Sequence, residues 1–123
     1  MRYLTDRKRA TGLGSAKGGT THFWNMTVSS FALLVLVPVF IFTFGPMLGA
    51  DHAAVVDYFG RPFPALVMAL TIVVAMLHFS KGVQVMIEDY SGGATRKLLI
   101  ILMICVSYGL AAAGLFAVVR LAL

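Results

Sequence analysis

Three long apolar runs, separated by short polar stretches, organise the chain. The first extends from Met26 to about Leu48, and its polar positions are Thr27, Ser29, Ser30 and Thr43. The second runs from about Phe63 to Ile87, and the third from about Leu98 to Val119. A helix rises about 1.5 Å per residue, so each run is long enough to cross roughly 30 Å of hydrocarbon. The pattern predicts an all-α integral membrane bundle of three transmembrane helices, at about 26–48, 63–87 and 98–119, forming a single domain over 1–123. Pro38 predicts a mild kink in the first helix, which a membrane bundle tolerates. Gly109, Ala113 and Ala117 recur every four residues in the third helix. Such a small-residue stripe predicts close helix packing.

The flanks are of a different kind. Residues 1–25 are polar and glycine-rich, with Gly12, Gly14, Gly18 and Gly19 and no apolar periodicity. That reads as a flexible segment or one ordered by a partner. Residues 49–64 form a polar loop holding Asp51, His52, Asp57 and Arg61. Glu88-Asp89-Tyr90-Ser91-Gly92-Gly93 reads as a tight turn.

Composition agrees with the pattern. Among 123 residues, 59% are hydrophobic and 12% charged, and the mean hydropathy is +0.90. A soluble domain of this size could not cover so much apolar surface. The net charge of +5 does not point to nucleic acid. Five of the ten basic residues (Arg2, Arg7, Lys8, Arg9, Lys17) precede the first span, and no basic helix or aromatic RNA motif follows. Arg96 and Lys97 flank the second turn, whereas the outer loop has only Arg61 and the C-terminal flank only Arg120. The positive-inside rule therefore puts the N-terminus and the second turn in the cytoplasm. No apolar stretch follows Arg2 before about residue 28, so no signal peptide is expected, and Arg2 to Lys17 is short for a mitochondrial presequence, which favours a bacterial inner-membrane protein. Cys105 is the single cysteine, so the chain has no internal disulfide, and the absence of CxxCH means that any haem is held without thioether bonds.

The second span carries the residues that a membrane does not ordinarily contain. His78 lies about ten residues inside the cytoplasmic end, roughly 15 Å deep. A buried imidazole needs a partner. Two readings stand: a hydrogen bond to a neighbouring helix, or ligation of a metal or haem iron. Lys81 and Gly82 follow at i+3 and i+4, one turn nearer the cytoplasm. The glycine leaves room for a flat macrocycle, and the lysine either meets a propionate or snorkels to the interface. Asp89 lies eleven residues after His78, close to three helical turns, so His78, Gly82 and Asp89 fall on one stripe. Tyr90 beside it is either an interfacial belt residue or a hydrogen-bond donor to a carbonyl oxygen. With Asp89 to orient or relay protons, it suits quinone reduction, which consumes two protons with two electrons. His22 is either a surface residue or a propionate contact, and His52 in the outer loop reads as solvated. Gly12-Leu13-Gly14-Ser15-Ala16-Lys17 lacks the spacing of a phosphate loop and follows no strand.

These residues also carry a resemblance. The stretch from His78 through Gly82 to Asp89-Tyr90 resembles the H-x-x-x-G-x-x-x-x-x-x-D-Y signature of the hydrophobic membrane anchor subunit of succinate dehydrogenase, respiratory complex II. Gly12 to Lys17, followed by Thr21-His22-Phe23-Trp24, is similar to the alphaproteobacterial branch. The resemblance implies that His78 is an axial ligand of haem b, with the other ligand supplied by the cytochrome b556 subunit. It also implies that Asp89 and Tyr90 stand at the ubiquinone site, completed by the iron–sulfur and cytochrome subunits. Electrons would reach that site from succinate through the flavoprotein and iron–sulfur subunits, with no activity expected of this chain alone. One departure stands out. Where many members have arginine in a W-x-Q-R-x-T-A-like stretch, this chain reads Trp24-Asn25-Met26-Thr27-Val28-Ser29-Ser30. Thr27 brings no charge, and Lys81 or His22 is the expected substitute. Two other classes remain open: a haem-free structural anchor of a respiratory complex, and a small transporter or channel with a proton path through His78 and Lys81.

Overall fold

A computed structural model describes residues 3–12, 14 and 18–123. The Gly12-to-Lys17 stretch lies largely outside the described residues, as do Arg2 and Lys17 of the basic cluster. Among the described residues there are five α-helices and no strand. Helix α1 (Asp6–Thr11) is a short N-terminal turn, with Thr5 accepting a hydrogen bond from the Lys8 amide. Helices α2 (Gly19–Phe44), α4 (Pro62–Tyr90) and α5 (Gly93–Ala122) are the three expected spans. All three have the length and apolarity to cross a membrane. Helix α3 (His52–Phe59) occupies the outer loop.

Every span is longer than its apolar run. Helix α2 begins at Gly19 rather than near residue 26, α4 continues through Asp89 and Tyr90, and α5 begins at Gly93 rather than near 98. The physical reason is that hydropathy marks only the part in hydrocarbon, while backbone hydrogen bonding continues into the polar interface. The expected six-residue turn thus shrinks to Ser91-Gly92, followed by Gly93 at φ +61°, where a side chain would be strained. Arg96 fixes this corner by donating from Nε to the Ser91 carbonyl at 2.7 Å.

Helix α4 is the central member, with α2 packed along one side and α5 along the other. Two different seams result. The α4/α5 seam is close: Ser107 is 2% exposed and Ser80 and Val118 are also buried. A Cβ on Gly114 would stand 3.0 Å from Ile72 Cγ2. The residues of α5 that face α4 thus include Ser107 and Gly114. The Gly109–Ala113–Ala117 stripe is exposed, so the expected packing role does not hold within this chain. A helix surface of small residues is apolar on several faces, and Ile72 selects Gly114 as the one needing no side chain. At the far end Phe44 stacks on Phe40 and meets Phe59, which anchors α3 with 2% exposure.

Hydroxyls in α2 close on their own helix. Thr27 Oγ1 donates to the Phe23 carbonyl, Ser30 Oγ to that of Met26 and Thr43 Oγ1 to that of Val39. Back-bonding of this kind lets hydroxyls enter a membrane without an unmet donor.

Candidate functional site

The α2/α4 seam is the more open of the two, and it holds the polar groups. His78, half-buried on α4, has Nδ1 2.8 Å from Ser29 Oγ on α2. Its Nε2 makes no hydrogen bond among the described residues. Beside this pair lies a groove of about 390 Å³ lined by Asn25, Val28, Ser29, Ala32, Val74, Leu77 and Lys81. Toward the N-terminal end of α2 it adjoins a second hollow of about 630 Å³, lined by Gly18, Gly19, Thr21, His22, Asn25, Lys81, Gln84, Val85 and Glu88. Asn25 and Lys81 belong to both. The seam is therefore apolar at depth and polar at its mouth.

Lys81 and His22 converge on that mouth from different helices. His22 has a buried Nε2 without a hydrogen-bond partner, so its ring is not the freely solvated surface group that its position in a polar segment suggests. Lys81 is half-buried and in no salt bridge among the described residues. Among the described residues that line the hollow, the one carboxylate is Glu88, which already accepts from Gln84 Nε2 at 3.0 Å. Thr27, in the position where an arginine was expected, turns its hydroxyl back to Phe23. Gly82 also lies on this side: a Cβ there would meet only Met26 Cε, at the ordinary contact distance of 3.8 Å. Packing inside the chain does not demand a glycine at that position.

Asp89 and Tyr90 occupy the last turn of α4, and both are exposed. The structure carries His78, Gly82 and Asp89 on one continuous helix, as their spacing requires. Tyr90 points elsewhere. It borders a third groove of about 600 Å³ between α4 and α5, lined by Phe79, Val83, Met86, Ile87, Ser91, Leu99 and Met103. Tyr90 and the His78–Ser29 pair are thus on different sides of α4, and the structure does not gather them into one pocket.

His52 begins α3 and, with Val56, Ala117, Arg120 and Leu121, borders a hollow at the opposite end of the bundle, away from the other histidines. Cys105 is exposed on α5. Among the described residues no three His, Cys, Asp or Glu side chains cluster as a metal site. Ser29 is the residue that sequence reasoning missed: it counted as a mere interruption of an apolar run, and only the facing of α2 on α4 reveals its partner.

A membrane bundle with one embedded imidazole and a part-cationic groove fits several protein classes, and comparison with known families decides among them. The model of the succinate dehydrogenase/fumarate reductase transmembrane subunit matches residues 1–111. The chain belongs to this family. The succinate dehydrogenase hydrophobic membrane anchor subunit of Paracoccus denitrificans is 48% identical over 123 residues, covering 100% of this chain and 95% of that relative. No solved structure matches. As a member of the succinate dehydrogenase/fumarate reductase transmembrane family, the chain is a multi-pass inner-membrane anchor subunit that works within an enzyme complex.

Proposed function

We propose that this subunit anchors a succinate:ubiquinone oxidoreductase and helps to bind haem b and ubiquinone at its cytoplasmic side. The observation that carries the reading is the α2/α4 seam. It offers an imidazole with one nitrogen held by Ser29 and the other without a partner among the described residues, beside a groove that is apolar below and has Lys81 and His22 at its mouth. Haem has the same polarity, an apolar macrocycle edged by two propionates, and the residues present fit it. When bound, haem b supplies a one-electron carrier to the complex.

In this reading His78 Nε2 would hold the haem iron from this chain's side. This chain supplies no second histidine to the seam at that depth, so the other ligand comes from the cytochrome b556 subunit. Lys81 and His22, which line the mouth, would meet the propionates in place of the arginine absent at Thr27. Gly82 keeps the helix surface flat where no contact inside the chain requires it. The N-terminus is cytoplasmic, because Arg7, Lys8, Arg9, Arg96 and Lys97 lie at that end. The iron–sulfur and flavoprotein subunits dock there.

Tyr90 and Asp89 form this chain's part of the quinone site. The Tyr90 phenol donates a hydrogen bond to a quinone carbonyl, and the exposed Asp89 carboxylate orients it or relays protons from water. The apolar groove beneath Tyr90 gives the quinone a route from the lipid that does not cross the haem seam.

A reduced-minus-oxidised spectrum of the purified complex tests the haem assignment. A b-type signal is expected in the native complex and is lost in His78→Ala while the flavoprotein and iron–sulfur subunits still copurify. A haem-free structural anchor is the second reading, since the Ser29 bond alone satisfies one nitrogen of His78. It predicts no b-type signal in either protein.

A further inference from the structure

The bond between Ser29 and His78 has a direction, and the direction determines which imidazole nitrogen is left with a lone pair. Ser29 Oγ has one proton and two close neighbours: His78 Nδ1 at 2.8 Å and the Met26 carbonyl oxygen at 3.0 Å. The carbonyl only accepts. If the hydroxyl proton went to Nδ1, two oxygens would face each other at 3.0 Å with no hydrogen between them. The arrangement that uses every group sends the Ser29 proton to the Met26 carbonyl and has Nδ1–H donate to Ser29 Oγ. In a neutral imidazole with Nδ1 protonated, Nε2 carries the lone pair. Met26, Ser29 and His78 thus form a relay of two hydrogen bonds running from α4 to the backbone of α2.

We propose that Ser29 is a positioning residue that locks His78 in its Nδ1–H tautomer and aims Nε2 at the haem iron. The inference rests on the haem reading above and deepens it. A metal-bound histidine whose second N–H is hydrogen-bonded is held in orientation and made a stronger electron donor. Ser29 does this from another helix, so the mutual placement of α2 and α4 sets the ligand's angle. Ser30 does not share the role. Its hydroxyl also reaches the Met26 carbonyl, at 2.8 Å, but it is exposed and makes no contact with His78.

The test uses the intact complex carrying Ser29→Val and the near-isosteric Ser29→Thr, which differ in the hydroxyl alone. Ser30→Ala serves as the control for loss of a back-bond, and His78→Ala as the control for the ligand. Haem content per flavin, the haem midpoint potential and the electron paramagnetic resonance of the ferric haem are measured. Groups hydrogen-bonded to a metal ligand contribute about 10–100-fold in metal affinity. Ser29→Val is therefore expected to release haem at least about tenfold more readily. Its residual haem should have a raised potential, because a weaker donor stabilises the ferric state less, and a shifted resonance. Ser29→Thr should restore all three, and Ser30→Ala should leave them unchanged. A merely structural serine would lower the yield of assembled complex without moving the potential. If His78→Ala loses haem while Ser29→Val keeps native haem content, potential and resonance, the positioning role is overturned and the haem reading stands. If His78→Ala retains haem, both fall.

Discussion

The two sides of helix α4 are built to opposite specifications. Against α5 the chain uses small residues and close approach: Ser107 and Val118 are buried, and a Cβ on Gly114 would crowd Ile72 Cγ2 at 3.0 Å. Against α2 it leaves an open groove with Ser29, Asn25, Lys81 and His22 among its walls, and His78 beside it is bonded to Ser29. In lipid no hydrophobic force drives helices together, so association rests on van der Waals packing and interhelical hydrogen bonds. The α4/α5 seam relies on the first. The α2/α4 seam depends more on the second, and one interhelical hydrogen bond in a membrane averages only about 0.6 kcal/mol. A weakly closed seam is a poor stabiliser but a suitable place for a cofactor that joins two subunits. Close packing therefore joins α5 to α4, whereas α2 and α4 meet across a groove and one interhelical hydrogen bond.

If this division is right, substitutions on the two sides should give separable defects. The largest effect is expected at Tyr90, beside the α4/α5 groove. Positioned proton donors contribute about 10²–10⁴-fold to rate, so Tyr90→Phe should lower succinate–quinone activity by about 10²-fold. Succinate oxidation by a water-soluble dye and the b-type spectrum should both persist. Loss of haem in this variant would merge the two sites and break the comparison.

Next in size is a substitution with no redox consequence. Gly114→Leu drives a side chain into Ile72, and overpacking costs about 1–3 kcal/mol. The expected result is a lower midpoint for thermal loss of the assembled complex in detergent, with haem potential and quinone rate per assembled complex unchanged. An altered potential would show that the α4/α5 seam reaches the haem after all.

Lys81 tests the mouth of the other seam. A hydrogen bond to a charged group contributes about 1.5–3 kcal/mol, so Lys81→Met should weaken haem retention by about tenfold. It should also shift the haem potential, because a positive charge near the iron is removed. Unchanged haem affinity and potential would leave His22 as the sole substitute for the arginine missing at Thr27.

How much of this was legible before folding depends on range. The three spans and their order follow from hydropathy alone, because each span is a local run. Their ends do not. Gly19–Asn25, Glu88–Tyr90 and Gly93–Lys97 are polar or small, yet helical hydrogen bonding passes through them. Helix α3 escaped notice because eight residues leave little periodicity, although Asp51, which accepts from the Ala54 amide, is a recognisable cap. His78, Gly82, Asp89 and Tyr90 were legible as a helical series because they share one element. Ser29 was not, since its partner is 49 residues away. Helix α2 is apolar on all sides, so no moment reveals which face meets α4. The Gly109–Ala113–Ala117 stripe failed for the same reason: its spacing is right, but spacing does not say which face of α5 is used.

The smallest effect is expected at Gly82, and it separates cofactor from scaffold more cleanly than a larger one would. An added Cβ meets only Met26 Cε at 3.8 Å, so nothing in this chain resists it. Alanine is the better helix former by about 1 kcal/mol. Gly82→Ala should therefore leave the bundle as stable as before, or slightly more so, by thermal loss of the assembled complex. Haem content per flavin should nevertheless fall, because the methyl group stands where a flat macrocycle would pass. A more stable complex with less haem shows that the glycine is kept for an occupant from outside the chain. Undiminished haem content would remove Gly82 from the site and leave the placement of the macrocycle to His78, Lys81 and His22.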